Sequence, residues 1–387
     1  MKDAVAPELM QQAFLSAPGN DLAIREIPIP MPAAREVLLK VHVSTVCAQT
    51  DLAIMAGFHP PHDCSAAGML PHDLRNYLGQ NENDPLRSYY PQVGYHDTVF
   101  PAPMGHEASG TILALGSEAN LPEALTVEGE ALSVGDRVAT FQIPGGYGEY
   151  SCLPSSNVVK IPEAMTDDEG SLLEPLIVNY NCLKKCWALQ EPATVAILGQ
   201  GCQGLLATQV VRALGAKLVI VSEPLPHKRR LALELGADIV LDPLSTNVVH
   251  EIERLTDMRG VDLVVECVGT EDSIRAVPYL ARRMGMVAQI GAITGPVAFD
   301  YGYVHFKNIM IVPCDYIRSF KQVADQVVEI INLVLTRAIK LRELVTHRFC
   351  LHSIGKAFRL LQDHAGGVVK IAVDIPHCAT CQAAVTD

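Results

Sequence analysis

The amino-acid sequence predicts an α/β protein in which a β-rich lobe is joined to a doubly wound α/β lobe. Its 387 residues exceed one ordinary domain, so two lobes are expected. Up to about residue 166, short apolar segments alternate with Pro and Gly turns, as in a partly antiparallel sheet. From about residue 167, continuous apolar segments alternate with helical ones, as in a parallel sheet covered on both faces.

The elements follow this division along the chain. The β-rich lobe is expected from the segments LAIREIPIP (22–30), EVLLKVHVSTVC (36–47), GTILALGS (110–117) and NVVKIP (157–162). In the second lobe, a helix over 167–189 precedes the strand TVAIL (194–198), and helices then alternate with KLVIVSE (217–223), VDLVVECVG (261–269), MVAQIGA (286–292) and IMIVPCD (309–315). A long amphipathic helix over 320–337 and a short tail follow. We therefore expect the first lobe over 1–172, the α/β lobe over 173–312 and a return to the first lobe over 313–387.

The composition excludes several classes of protein. Hydrophobic residues make up 49% of the chain and charged residues 19%, which excludes a disordered protein. The formal net charge is −13 and no basic run occurs, so a nucleic acid partner is not expected. No apolar stretch reaches the roughly 18–20 residues of a membrane span, and the N-terminus has no apolar signal core. With eleven scattered cysteines, an odd number, we expect a cytoplasmic protein without a disulfide framework.

The hexapeptide GQGCQG at residues 199–204 matches the G-x-G-x-x-G pattern of dinucleotide-binding turns. It follows the strand TVAIL and opens a helix, so the glycines permit a tight turn and the helix N-terminus offers N–H groups to a pyrophosphate. Glu223 ends the next strand, where the pattern places the acid that binds the ribose hydroxyls. Such a carboxylate repels a 2′-phosphate, which predicts NAD rather than NADP.

The predicted cofactor residues lie in this turn and at the ends of the neighbouring strands: Gly199, Gly201, Cys202, Gln203, Gly204, Glu223, Lys228, Val268 and Gly291. The basic run at 228–230 leaves an alternative open, because it could attract the 2′-phosphate of NADP. It can also be interpreted as a solvated helix N-terminus with one side chain packed over the adenine.

An ordered set of further motifs carries a resemblance: KVHVSTVCAQTDL (40–52), GHEASG (105–110), GDRV (135–138), GGYGEY (145–150) and LLEPL (172–176). Together with the dinucleotide turn, they resemble the zinc-dependent medium-chain dehydrogenase/reductase family, which includes alcohol, polyol and threonine dehydrogenases. The similarity runs from about residue 12 to residue 375. It implies a β-rich GroES-like catalytic domain, a Rossmann domain, an alcohol or ketone substrate, and a homodimer or homotetramer.

The resemblance also implies one catalytic zinc ion, whose Lewis acidity eases deprotonation of an alcohol. Its implied ligands are Cys47, His106 and Glu174, with Glu107 either a direct ligand or a group that supports one. Thr50 is the implied acceptor of the substrate proton, and Glu107 is a second candidate for proton transfer. No structural zinc is expected, because no cysteine occurs in residues 136–150, where the family's cysteine quartet is missing.

Besides the missing cysteine quartet, the sequence departs from the family pattern at two further places. Two residues, rather than one, separate Cys47 from the Thr50-Asp51 pair, which could move the cysteine or the threonine out of register. An insert over about 58–103, rich in Tyr, His, Asn and Pro, separates the first two zinc ligands. We expect this insert to be a lid or a wall of the substrate pocket, while an oligomer arm and a plain surface loop remain alternatives.

These observations predict a zinc-dependent oxidoreductase that transfers hydride from a secondary alcohol to NAD and gives a ketone. A polyol, a sugar-like alcohol or an amino alcohol would suit a zinc site that contains a carboxylate. Two alternatives stay open. One is a metal-free NAD(P)H reductase of activated C=C or C=O bonds, and the other is a non-catalytic NAD(H)-binding protein.

Overall fold

The structure, a computed structural model, describes residues 9–55, 100–120, 131–293, 297–314, 317, 320–363 and 366–375. The insert predicted over about 58–103 therefore lies outside the described residues, except for residues 100–103. None of the described helices is both long enough and apolar enough to cross a bilayer. The described cysteines carry free thiols except Cys350, which is disulfide-bonded, so the expectation of a chain without a disulfide framework has one exception.

The strands of the described chain are β1 (Leu9–Leu15), β2 (Leu22–Pro28), β3 (Glu36–Thr45), β4 (Ala102–Pro103), β5 (Glu107–Leu115), β6 (Arg137–Thr140), β7 (Tyr150–Pro154), β8 (Val158–Lys160), β9 (Thr194–Leu198), β10 (Leu218–Ser222), β11 (Ile239–Leu241), β12 (Val261–Glu266), β13 (Ala281–Gln289), β14 (Met310–Pro313), β15 (Val345–Cys350) and β16 (Lys370–Asp374). The helices are α1 (Thr50–Met55), α2 (Asp167–Ser171), α3 (Leu173–Leu189), α4 (Cys202–Ala213), α5 (Pro226–Glu234), α6 (Val248–Leu255), α7 (Glu271–Leu280), α8 (Tyr301–Lys307), α9 (Ala324–Leu335) and α10 (Ile354–Gln362).

The β-rich lobe contains two sheets. A three-stranded antiparallel sheet has the order β2-β1-β4, and a seven-stranded sheet has the order β15-β16-β3-β5-β6-β8, with β7 also paired to β3. The central strand β3 is antiparallel to β5 and to β16. The chain therefore returns to this sheet after the α/β lobe, and β3 holds segments that are distant in sequence next to one another.

The α/β lobe is a six-stranded parallel sheet with the order β11-β10-β9-β12-β13-β14. The chain winds outward from β9 to β11, returns to the other side of β9 and winds outward again to β14. This doubly wound order places a crevice at the carboxyl ends of β9 and β12, where ligands bind in such sheets. The predicted fold class, a β-rich GroES-like domain with a Rossmann domain, is confirmed.

The two lobes share one apolar core. Phe141 of the β-rich lobe packs against Phe320, which lies just before α9, with ring centroids 5.4 Å apart. Both residues belong to a buried cluster that also contains Leu176 of α3 and Val195 of β9. Helix α3 thus connects the sheet of one lobe to the sheet of the other.

Two predicted helices are shorter than expected. The helix predicted over 167–189 is divided at Leu172 into α2 and α3. The division has a physical reason: Pro175 cannot donate a backbone hydrogen bond, and the new helix start places it in the first turn, where no such bond is needed. The helix predicted over 320–337 begins as a 3-10 turn at Phe320–Val323 and becomes α-helical only at Ala324.

Candidate active site

The predicted ligands Cys47, His106 and Glu107 meet at the ends of two paired strands. Cys47 follows β3, Glu107 begins β5, and Thr45 of β3 lies directly opposite Glu107 in the antiparallel ladder. One ligand atom from each of Cys47, His106 and Glu107 lies within 4.8 Å of the others, and the described residues hold no second group of this kind. A thiolate, an imidazole and a carboxylate at this spacing suit a zinc ion.

Asp51 contacts both Cys47 and His106, the two predicted ligands that are not carboxylates. Its Oδ1 lies 3.2 Å from Nδ1 of His106, and its Oδ2 accepts a hydrogen bond from the backbone N–H of Cys47 at 3.0 Å. The hydroxyl of Tyr147 donates to the same Oδ2. Because a carboxylate only accepts, Nδ1 of His106 carries the hydrogen, and Nε2 keeps its lone pair for a metal.

The extra residue between Cys47 and Asp51 does not disturb this arrangement. It is accommodated in the turn before α1, so the Asp51 carboxylate still reaches both Cys47 and His106. Thr50 begins α1, and its backbone N–H lies 3.5 Å from the sulfur of Cys47. The predicted proton acceptor is therefore next to the predicted ligand.

Glu107 is held by a buried lysine that the sequence analysis did not single out. Nζ of Lys370 lies 2.9 Å from Oε1 of Glu107 and 2.6 Å from Oε2, and the hydroxyl of Thr45 donates to Oε2 as well. Burial alone would lower the pKa of Lys370, but the Glu107 carboxylate, together with the charges of Cys202 and Cys47, outweighs burial and raises it. Lys370 interrupts an apolar segment, VVKIAV (368–373), and a lone basic residue in such a segment is the signal that could have identified it.

Glu174, the fourth candidate, lies in the first turn of α3 and is also buried. Burial raises the pKa of its carboxyl to about 7, while His106 opposes this shift and Glu107 adds to it. Among the described residues, Glu174 is not part of the group within 4.8 Å. The structure therefore brings three of the four candidates into one group and places the fourth within their electrostatic influence.

The turn at 199–204 has the geometry of a dinucleotide site. Gly199 has a φ of +80°, which favours glycine, and a Cβ on Gly204 would lie 1.9 Å from the carbonyl oxygen of Gly199. A Cβ on Gly201 would instead meet no atom within 4 Å, so the turn is open on that side. No side chain caps the N-terminus of α4. Its first N–H groups therefore suit a pyrophosphate.

Glu223 follows β10 and is fixed by two backbone donors. Its Oε2 accepts from the N–H of Gln200 at 2.7 Å, and its Oε1 accepts from the N–H of Leu225 at 2.9 Å. Arg229 is turned back onto this loop, where its guanidinium donates to the carbonyls of residues 223 and 224 and lies 3.2 Å from Asp242. Lys228, on α5, is half-buried.

Val268 and Gly291 lie around a buried carboxylate that the sequence analysis missed. Oε1 of Glu266 accepts from the N–H groups of Val268 and Gly269 at 2.8 and 2.9 Å. The N–H of Gly291 donates to the backbone carbonyl of Glu266 at 2.8 Å. Glu266 therefore joins the loops that follow β12 and β13, and its position as an acid at the end of the apolar run VDLVVE was the available signal.

The metal-ligand group and the start of α4 are linked by charge interactions. Burial raises the pKa of Cys202, the first residue of α4, to about 11. The charges of Lys370, Glu107 and Cys47 also act on this thiol. The start of α4 is therefore within electrostatic range of the metal-ligand group.

Comparisons with known proteins agree with this arrangement. A family model for zinc-binding dehydrogenases matches residues 203–332, and one for the alcohol dehydrogenase GroES-like domain matches residues 63–163.

Individual relatives match most of the chain. L-threonine 3-dehydrogenase of Pyrococcus horikoshii is 26% identical, over 88% of this chain and 92% of its own. Sorbitol dehydrogenase 1 of Saccharomyces cerevisiae is 28% identical, over 74% of this chain and 85% of its own. The crystal structure of 2R,3R-butanediol dehydrogenase from Bacillus subtilis shares the fold, with a TM-score of 0.73 and 22% identity over 95% of this chain and 99% of that one. As its motifs predict, the chain belongs to the zinc-dependent medium-chain dehydrogenase/reductase family of oxidoreductases.

Proposed function

We propose that this protein oxidises a secondary alcohol to a ketone with zinc and NAD, and that the alcohol is a polyol, a sugar-like alcohol or an amino alcohol. The observation that carries the proposal is the group formed by Cys47, His106 and Glu107, together with a dinucleotide turn whose helix begins at Cys202, within range of the charges of Cys47 and Glu107. The threonine and sorbitol dehydrogenases among the relatives support a substrate with a second polar group.

We expect Cys47, His106 and Glu174 to hold the zinc ion, and Glu107 to support them. Lys370 already contacts both oxygens of Glu107, by a hydrogen bond to Oε1 and an ion pair with Oε2, whereas no described residue donates a hydrogen bond to the carboxylate of Glu174. A bound zinc ion lowers the pKa of an alcohol hydroxyl. Around it, Asp51 would orient His106 through Nδ1. We expect the Thr50 hydroxyl to accept the substrate proton, because the backbone N–H of Thr50 lies 3.5 Å from the sulfur of Cys47.

For the cofactor, the carboxylate of Glu223 supports NAD. It stands at the end of β10, where the ribose hydroxyls of a dinucleotide would lie, and its charge would repel a 2′-phosphate. Arg229 supports the same preference, because its guanidinium is occupied by two carbonyls and by Asp242. The small-molecule partners are thus an alcohol or ketone and NAD.

We also propose that the protein is a homodimer or homotetramer. Strand β14 ends the six-stranded sheet, and no described strand pairs with its outer edge. Apolar side chains are exposed on this strand and on the nearby helix α8, among them Ile311 and Phe306. An unpaired apolar edge favours pairing with another chain.

Removal of a ligand tests the function. Cys47→Ala and His106→Ala should each lower alcohol oxidation, followed by NADH absorbance, by at least about 10³-fold. Plasma mass spectrometry should find about one zinc per chain in the wild type and little in either variant. Because α4 and Glu223 are untouched, NADH affinity should stay within a few-fold.

Cys152→Ala is the matched control, since Cys152 is a free thiol on β7 that contacts no predicted ligand. It should keep both zinc and activity. A wild-type enzyme that stays fully active after exhaustive chelation would rule out the zinc mechanism.

A further inference from the structure

A pair of side-chain amides joins helix α3 to the start of helix α4. Asn179 of α3 is fully buried, and its Nδ2 donates to two oxygens of Gln203, the backbone carbonyl at 2.8 Å and the side-chain Oε1 at 3.1 Å. Gln203 is the second residue of α4 and is half-buried. The amide pair therefore joins α3 to the dinucleotide turn.

The direction of both amides is fixed by the backbone. A carbonyl oxygen only accepts hydrogen bonds, so Asn179 must present its nitrogen to Gln203. That nitrogen in turn requires an acceptor from the side chain of Gln203, which must therefore present its oxygen. Nε2 of Gln203 is left pointing away from Asn179, and no residue of the described chain accepts a hydrogen bond from it.

Helix packing alone does not explain an asparagine at this position. Its remaining oxygen, Oδ1, is buried and has no partner among the described residues. An unsatisfied buried acceptor costs about 1–3 kcal/mol, which an apolar side chain would avoid. The two hydrogen bonds to Gln203 are therefore the reason we infer for an asparagine at this position.

The position of Gln203 identifies which half of a dinucleotide it faces. The charges of Cys47, a member of the metal-ligand group, and of Lys370, which contacts Glu107, act on the thiol of its neighbour Cys202. Glu223, at the adenosine-ribose end, contacts the other side of the turn through the N–H of Gln200. Gln203 is therefore on the side where the nicotinamide must lie for hydride to pass from a substrate at the metal.

We propose that Asn179 is a positioning residue, which fixes the Gln203 amide so that its N–H₂ donates to the carboxamide oxygen of the nicotinamide. This inference rests on the proposed function, because it takes a nicotinamide dinucleotide as the ligand. The pyrophosphate already has the N–H groups of α4 for partners, whereas the carboxamide oxygen of the nicotinamide is an acceptor that an amide N–H₂ can serve.

Equilibrium titration of the full-length protein with NADH and with ADP-ribose tests the contact. ADP-ribose keeps the pyrophosphate and both riboses but lacks the nicotinamide. Gln203→Leu should raise the Kd of NADH about 3- to 10-fold, the value of one neutral hydrogen bond, and should leave the Kd of ADP-ribose within about 2-fold. Gln190→Leu, a glutamine at the far end of α3, should change neither.

The role of Asn179 is tested by removing its amide. In Asn179→Leu, no donor holds Oε1 of Gln203, so Nε2 of Gln203 is no longer fixed outward, and the Kd of NADH should rise by up to the same factor as in Gln203→Leu. In the Gln203→Leu background, the same leucine should cause no further loss, because the two residues act as one unit. An additive loss would mean that Asn179 acts only through the fold.

Two other results would overturn the inference. If Gln203→Leu weakens NADH and ADP-ribose equally, or weakens neither, the amide does not contact the nicotinamide. If the wild-type protein binds neither NADH nor ADP-ribose, the proposed NAD-dependent function itself is contradicted. This result would be known before any variant is made.

Discussion

Buried carboxylates differ in this protein by the donors that surround them, and these donors decide what each carboxylate can still bind. Lys370 neutralises Glu107 and occupies both of its oxygens, whereas Glu174 has no described donor, and burial raises its pKa to about 7. A buried carboxylate without hydrogen-bond donors, such as that of Glu174, is stabilised most by a bound cation. This difference is why we propose Glu174 rather than Glu107 as the metal ligand, although Glu107 lies nearer to the thiol and the imidazole.

The cofactor preference depends on Glu223. We expect the wild-type enzyme to prefer NAD over NADP by at least about tenfold in kcat/KM, which corresponds to about 1.4 kcal/mol. In Glu223→Gln, the charge that repels a 2′-phosphate is lost. The new side chain would also present its N–H₂ group to the backbone N–H of either Gln200 or Leu225, so that two donors would face each other. NAD should therefore become a poorer substrate, and the preference should shrink.

Steady-state kinetics with both cofactors measures this change. Glu234→Gln, on the exposed side of α5, makes the same charge change away from the ribose and should keep the preference. If the wild-type enzyme uses NADP as well as NAD, the basic residues at 228–230 set the preference instead.

Single residues of the site were predictable where a motif places them at a strand end. Cys47 and His106 belong to such motifs, and the ladder between β3 and β5 brings them together. Lys370 and Tyr147 were not predictable as partners of Glu107 and Asp51, because they come from strands and loops far along the chain. Only the order of the strands in the sheet makes them neighbours, and one sequence does not contain that order.

At the scale of elements, the apolar periodicity predicted the strands of the parallel sheet well and the helix ends less well. Strands β9, β10 and β12 are continuous apolar segments, and each is buried along most of its length. Helix ends depend on local competition, as at Leu172, where a capping box at Thr166 and the proline at 175 divide a continuous apolar pattern. The division has a consequence for the site, because it places Glu174 in the first turn of a new helix.

The short helix α2 is held by ion pairs, and the Asp167 pair gives a pH-dependent prediction. His42 donates to Asp167, and this hydrogen bond, with help from Arg137 at 2.7 Å and against the effect of burial, lowers the pKa of Asp167 to about 2. A lowered pKa stabilises the fold above the unfolded-state pKa near 4. That contribution is lost as the pH falls from about 4 to about 2.

Asp167→Asn should therefore lower the free energy of unfolding by about 1–2 kcal/mol at pH 7, after discounting for partial exposure. Urea unfolding at pH 7, 5, 4 and 3 should show the difference from the wild type narrowing below about pH 4. Asp363→Asn changes an exposed carboxylate without a described partner and should have little effect. An equal loss at every pH would mean that the ion pairs contribute nothing and that the substitution only disturbs packing.

At the scale of the whole molecule, one apolar cluster spans both lobes, and the proposed function draws on residues from each. The proposed zinc ligands come from the β-rich sheet and from α3, and the proposed cofactor turn comes from the parallel sheet. Helix α3 packs in the cluster that contains Phe141, Leu176 and Phe320, and this packing connects the two parts of the proposed site. The insert predicted over about 58–103 enters between Cys47 and His106, and its predicted role as a pocket wall stays a prediction.

Association into dimers is the prediction that belongs to the molecule as a whole. On the outer strand β14, Met310 and Ile311 are 45% and 44% exposed, and Phe306 and Tyr301 of α8 are exposed beside them. Two copies of a strand edge can pair antiparallel about a twofold axis, so that each presents the same surface to the other. Such pairing would extend the six-stranded sheet and cover these apolar side chains at once.

Ile311→Lys should therefore shift the molar mass measured by light scattering after gel filtration toward the monomer, because two lysine charges would meet near the axis. Leu244→Lys is the matched control. Leu244 is more exposed, at 82%, but it follows β11 at the opposite edge of the same sheet, so this variant should keep the wild-type mass. A wild-type protein that is monomeric at micromolar concentration would contradict the oligomer itself. An Ile311→Lys protein with unchanged mass would mean that the subunits associate through another surface.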